Sequence, residues 1–204
     1  MTVTTRILIA EDIDLVAEAF SVLLGTQPTF EIVAIVNRGD RVLDAVRLHE
    51  PDIVLMDVDM PGMTGIEATA GLRASGLTCK VLLLTALPGS GYVHEALAAG
   101  ANGYMLKSTT GSRLVESIKS VLDGRMVVDP ELAAEALRSG PNPLTTREQE
   151  ILRLLQRGHS TSDVASTLFL SRGTVRNYLS SSMAKLGAVG RIEAVNAAAQ
   201  RGWI

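Results

Sequence analysis

One cysteine, Cys79, stands in 204 residues. An intramolecular disulfide is therefore excluded, and the thiol content suits a reducing cytosol. Cys79 is expected to act as a small hydrophobe at the start of a strand. No run approaches the roughly 20 apolar residues that a membrane helix needs. The first ten residues turn apolar only at Ile7 and meet two acids at Glu11 and Asp12. That is too short for the apolar segment of a signal peptide, and no small-residue cleavage site follows. The expectation is a cytoplasmic protein with no membrane partner. There is no internal repeat and no low-complexity segment.

What is present is ordinary globular material: 47% hydrophobic and 20% charged residues, at a length that suggests one or two domains. The net charge of −3 hides an asymmetry. Residues 1–123 carry 9 Lys+Arg against 15 Asp+Glu, while residues 143–204 carry 8 against 4. An acidic front and a basic back suggest two jobs, the second facing a polyanion.

Five short apolar runs occur in the front part: Ile7–Ala10, Ile32–Val36, Ile53–Met56, Val81–Leu84 and Gly103–Leu106. Each is bounded by polar residues, Gly or Pro, and reads as a buried strand. Between them apolar residues recur at helical spacing, as in Leu15, Ala19, Val22 and Leu23. A fifth helix fits Ser112–Leu122. Strand–helix alternation repeated five times calls for an α/β doubly wound parallel sheet, a (βα)5 domain over residues 1–123. Residues 124–142 read as a linker with one helix of its own at Pro130–Arg138. Ser139-Gly140-Pro141-Asn142-Pro143 is the clearest break in the chain. Residues 143–204 show no strand signal and four helical stretches, an all-α domain.

In a doubly wound sheet the working site lies at the carboxyl ends of the strands. The runs end at Glu11-Asp12, Asp57, Thr85-Ala86 and Lys107. Three carboxylates, a hydroxyl and an ammonium should then converge. Oxygen ligands of this kind suit Mg²⁺. A carboxylate beside such an ion can attack a phosphoryl group, with the ion and Lys107 neutralising its equatorial oxygens. Thr85 could donate to the attached group, and Ala86 would leave room for it. Taken singly, each residue has a plainer reading: a helix N-cap for Asp12 or Asp57, a polar strand end for Thr85, a solvent-facing cation for Lys107. The order in which they fall is what carries the signal.

Residues 5–123 resemble a response-regulator receiver domain through Glu11-Asp12, Asp57-Val-Asp-Met-Pro61-Gly-Met-Thr-Gly65, Thr85-Ala86 and Lys107. The resemblance implies that Asp57 accepts the phosphoryl group. It implies that Glu11 and Asp12 bind the metal with Asp57, and that Asp59 supplies its backbone carbonyl. Thr85 becomes the switch hydroxyl and Tyr104 its aromatic partner; the plainer role for Tyr104 is packing at the sheet edge. Thr64 stands where the family often has Asp or Asn, past the metal site. Ile53–Asp59 is also similar to the haloacid-dehalogenase pattern, which would make the chain a phosphatase. That pattern wants Thr or Val after its second Asp and acids downstream; here Met60-Pro61-Gly62 follows and the acidic pair lies upstream. The chain is therefore not expected to be an enzyme.

In the basic part, Thr145 or Thr146, Ser160 or Thr161, and Ser171 are placed to cap three successive helices. The last two of these form a helix-turn-helix. In the third helix Val175, Leu179, Met183 and Leu186 make a core-facing stripe. Gly173, Asn177, Ser180 and Ala184 then face away, flanked by Arg172 and Arg176. Such a face is either merely solvated or suited to a major groove, where Arg pairs with guanine and Asn with adenine.

Leu144-Thr-x-Arg147-Glu148, Val164-Ala165, Leu170-Ser171-x-x-Thr174-Val175-Arg176-Asn177-Tyr178 and Lys185-Leu186 resemble the LuxR-type module. With the receiver, the whole chain is similar to NarL/FixJ-type response regulators. The resemblance implies base-edge contacts from Arg176, Asn177 and Ser180, with Arg172 beside them. It implies phosphate contacts from Ser171, Thr174, Tyr178 and Lys185. It makes the final helix, Arg191–Arg201, a dimer seam, for which plain core packing is the alternative. Implied partners are a sensor histidine kinase, double-stranded promoter DNA and a second copy of the chain, with RNA polymerase as a further candidate. A receiver controlled by a protein partner rather than by phosphate is the second alternative, against which the intact acidic pocket argues.

Overall fold

A computed structural model describes residues 4–86, 91–140 and 142–204; Pro141 of the expected break lies outside them. The chain divides into two compact units, residues 1–88 with 95–133, and residues 89–94 with 134–204.

The first unit is built on six parallel strands in the order β2-β1-β3-β4-β5-β6. They are β1 (Thr5–Ala10), β2 (Phe30–Val36), β3 (Ile53–Asp57), β4 (Lys80–Thr85), β5 (Gly103–Leu106) and β6 (Val127–Val128). The connecting helices are α1 (Asp14–Gly25), α2 (Val42–His49), α3 (Gly65–Ala74), α4 (Gly91–Ala98) and α5 (Gly111–Leu122). Helices on both faces hide the sheet, so β3 is buried from end to end and alternation is lost. One core joins Ile7, Ile9, Leu55, Leu82 and Leu84 to the α5 stripe of Leu114, Ile118 and Val121. The chain leaves β1 for β2 on one side and returns to β3 on the other. The loops after β1 and β3 therefore diverge and leave a crevice at their carboxyl ends.

Two features depart from the sequence reading. In α1 the helical spacing is real, but Leu15 and Val22 are 75% and 66% exposed, and Ala17 and Leu24 turn inward instead. The segment expected as linker also contains a strand. Val127 N donates to Asn102 O at 3.2 Å and Asp129 N to Tyr104 O at 3.0 Å, which adds β6 to the edge of β5. Helix α6 (Pro130–Ser139) follows.

In the second unit lie α7 (Thr146–Gln156), α8 (Thr161–Thr167), α9 (Arg172–Leu186) and α10 (Arg191–Gln200). Thr145, Ser160 and Ser171 are the caps, each accepting from the N–H three residues on. Leu144, Ile151, Leu152, Val164, Val175, Leu179, Leu186, Ala194, Ala198 and Trp203 form its core. Among the described residues, no helix is long and apolar enough to cross a membrane.

Candidate phospho-acceptor pocket and nucleic-acid interface

The crevice gathers the side chains that the sequence places at strand ends. Oxygens of Glu11, Asp12 and Asp57 all lie within 4.8 Å of one another. Lys107 Nζ stands 2.9 Å from Asp57 Oδ2, 2.7 Å from Glu11 Oε2 and 2.8 Å from Glu11 Oε1, to which it donates a hydrogen bond. Glu11 and Asp57 are buried, while Asp12 and Asp59 are exposed. Burial pushes the Glu11 carboxyl up from its ordinary range; the Lys107 hydrogen bond opposes this and the Asp57 charge adds to it. Burial likewise raises Asp57, against hydrogen bonding and charge from Lys107 and a hydrogen bond from the Asp59 backbone N–H. Burial works against the Lys107 ammonium, but the two carboxylates more than offset it and raise its pKa. The cluster thus holds one cation already and has charge to spare.

Neither aspartate serves as a helix cap. Helix α1 has Ile13 at its N-cap and no side-chain cap, and α3 is capped by Thr64 in a reciprocal box with Glu67. The plainer roles of Asp12 and Asp57 are therefore not realised. The turn after Asp57 is closed tightly: Val58 N donates to Leu84 O and Gly65 N to Val58 O. A Cβ on Gly65 would lie 2.1 Å from the Asp57 carbonyl oxygen, so only glycine lets α3 start there.

Thr85 and Tyr104 both lie inside, 1% and 0% exposed. Ala86 is exposed, beside Thr85. The main chain ties these strand ends together, since Lys107 N donates to Thr85 O at 2.7 Å.

The donor set fits a hard divalent cation. It offers oxygens alone, and Glu11 Oε2 is buried without a hydrogen bond although Lys107 lies close.

In the second unit, α9 buries Val175, Leu179 and Leu186 and exposes Arg172, Gly173, Arg176, Asn177, Ser180 and Ala184. Thr174 and Tyr178 are half-buried at the margin. Ser171 Oγ lies 2.8 Å from Thr174 Oγ1, and the Arg172 guanidinium donates to Ser162 Oγ on α8 at 2.7 Å. Lys185 does not stand alone: its Nζ is 2.7 Å from Glu148 Oε2. Glu148 is only 2% exposed and also accepts from Ser181 Oγ at 2.6 Å and Thr145 N at 2.7 Å. Burial raises its pKa, but the bonds from Lys185, Ser181 and Thr145 outweigh that and hold it at about 2. This hub escapes a reading that treats Glu148 only as a first-turn acid. The four-residue spacing of Ser181 and Lys185 on one helix face is the signal for it.

Two family models match the chain: the response regulator receiver domain over residues 7–119, and the bacterial regulatory proteins of the luxR family over residues 142–198. The chain belongs to the LuxR-type response regulators. It is 40% identical to the transcriptional regulatory protein DesR of Bacillus subtilis (strain 168), over 97% of this chain and 98% of that protein. It is 39% identical to the uncharacterized transcriptional regulatory protein YvfU of the same organism, over 98% and 99%. Among solved structures, the response regulator ChrA of a heme-sensing two-component system is similar at 32% identity and a TM-score of 0.59, covering 98% of this chain and 99% of that one. The relatives are transcriptional regulators rather than enzymes, so this response regulator is not a phosphatase of the dehalogenase kind.

Proposed function

We propose that this response regulator takes a phosphoryl group from a sensor histidine kinase onto Asp57 and then binds promoter DNA as a dimer, in the cytoplasm. An Asp57 carboxylate oxygen attacks phosphorus. The phosphorus–nitrogen bond to the kinase histidine breaks and an acyl phosphate forms, with the electron pair leaving on the imidazole. The observation that carries this is the position of Asp57, at the end of β3 among two further carboxylates with Lys107 at 2.9 Å. Glu11, Asp12, Asp57 and the Asp59 carbonyl would hold Mg²⁺, which would supply positive charge to the phosphoryl oxygens. Lys107 is already poised to follow those oxygens. Thr85 donates to the attached group, Ala86 leaves space for it, and Tyr104 packs behind the switch.

In this reading residues 1–123 carry the receiver's phospho-acceptor machinery, 124–142 are the linker, which first adds β6 to the receiver's sheet and then forms α6, and 143–204 are the DNA-binding domain. The phosphorylated receivers pair through α4 and α5, and α10 forms a second seam on DNA. Arg176, Asn177 and Ser180 read base edges, with Arg172 beside them. Ser171, Thr174, Tyr178 and Lys185 touch phosphates, which fix register without specifying sequence. Contact with RNA polymerase belongs to the same reading. Turning a 1:99 population to 99:1 requires phosphorylation to favour the active state by about 5.5 kcal/mol. The test is light scattering and duplex binding before and after treatment with Mg²⁺ and acetyl phosphate. Wild type should dimerise and bind more tightly, whereas Asp57→Asn should not respond; equal responses would refute the mechanism.

A further inference from the structure

Helix α9 meets α7 at a buried carboxylate. Glu148 lies at the third position of α7, where its Oε2 accepts from the Thr145 N–H and hydroxyl in the helix cap. The same oxygen takes the Lys185 ammonium at 2.7 Å, and Oε1 takes the Ser181 hydroxyl at 2.6 Å. The Lys185 side chain remains 34% exposed, whereas that of Glu148 is 2% exposed. One end of the pair is therefore sealed in the fold and the other faces solvent on α9. An ammonium has three N–H donors. One is committed to Glu148, and the others are free to take an anion.

A lysine on an open surface loses rotamer freedom when it is fixed on a ligand. Here that loss is already met on folding, because the stem is tethered at its tip. The tether is a charged carboxylate in a low-exposure site, where such a bond is stronger than in water.

We infer that Glu148 is a positioning residue for DNA binding, which aims the Lys185 ammonium at a backbone phosphate and fixes α9 against α7 through Ser181. This rests on the reading of Lys185 as a phosphate contact. Glu148 itself touches no DNA; its carboxylate would be repelled by it.

A phosphate contact is independent of sequence, so a 30-base-pair duplex of arbitrary sequence serves as probe. The measurement is the slope of log binding constant against log salt concentration for the full chain. Each phosphate contact contributes about 0.9 to that slope. Lys185→Gln should make the slope shallower by about 0.9. Glu148→Gln should do the same, and the double variant should lose no more than either alone. Thr145→Val, which weakens the helix cap but leaves the Glu148–Lys185 pair, should keep the wild-type slope even where it lowers the melting temperature. Should Glu148→Gln fail to fold, Glu148→Asp keeps the charge and the cap but withdraws the carboxylate from Lys185, and should show the same loss. Two results would overturn the inference while sparing the phosphate contact: an unchanged slope in the Glu148 variants, or a steeper one because Glu148 had been masking the ammonium. An unchanged slope in Lys185→Gln would instead remove the phosphate contact itself.

Discussion

Lys107 Nζ lies between two buried carboxylates, 2.9 Å from Asp57 and 2.7 Å from Glu11. The ammonium occupies the ground that a divalent cation would share, so the two should substitute for one another energetically. Removing one partner of a buried pair costs about 3 kcal/mol because it leaves charge uncompensated. Lys107→Met should therefore destabilise the receiver by about that much in EDTA, and Mg²⁺ should recover most of the loss. Urea unfolding followed by circular dichroism reads both values. A loss that is equal with and without Mg²⁺ would separate the ion from the lysine.

Glu148 gives the DNA-binding domain a pH dependence of defined sign. Its folded pKa of about 2 lies below the ordinary 4.5. The unfolded chain therefore takes up the proton first, and the contribution is full above about pH 4.5 and lost as pH falls toward 2. The shift corresponds to about 3 kcal/mol. Trp203, the single tryptophan of the chain, is buried in this domain and reports its unfolding by fluorescence. Denaturant midpoints should fall between pH 5 and pH 3 in wild type and fall less steeply in Glu148→Gln, where Asp163, its pKa also lowered by hydrogen bonds from Ser160, still titrates.

The added strand is testable by proline placement. Val127 N and Asp129 N donate to Asn102 O, just before β5, and to Tyr104 O within it, and in this parallel register the Val128 N–H points away from that edge. Val127→Pro removes a donor and should cost about 1 kcal/mol or more. Val128→Pro should be tolerated. Hydrogen exchange at the Asp129 amide distinguishes them, fast in the first variant and protected in the second.

Gly173 lies in the first turn of α9, where an added Cβ would meet only Ser171 Oγ at 3.6 Å. Nothing inside the protein requires glycine there. Gly173→Ala should stabilise the free protein by roughly 0.5–1 kcal/mol and weaken duplex binding, because the helix could no longer approach as closely. Gly71→Ala in α3, equally open, should give the first effect without the second.

Much of this was legible in the chain because strong local signals coincide with strand ends. The runs ending at Asp57, Thr85 and Lys107 are buried on both faces, so they read as continuous apolar segments, and the residues just beyond them fall in one crevice. What escaped has no periodicity to betray it. Val127 and Val128 form a strand only because β5 offers an edge, and a two-residue strand has no pattern of its own. Leu15 and Val22 carry helical spacing but face outward, since spacing shows that a helix has an apolar stripe and not which stripe packs. The burial of Glu148 and Ser182 depends on the crossing of α7 and α9, which is tertiary information.

Phosphorylation of Asp57 is read from the intact mass after incubation with Mg²⁺ and acetyl phosphate, with Asp57→Ala as control. Wild type should gain one phosphoryl group and the variant none. No gain in well-folded wild type, or an equal gain in both proteins, would contradict phosphorylation at Asp57.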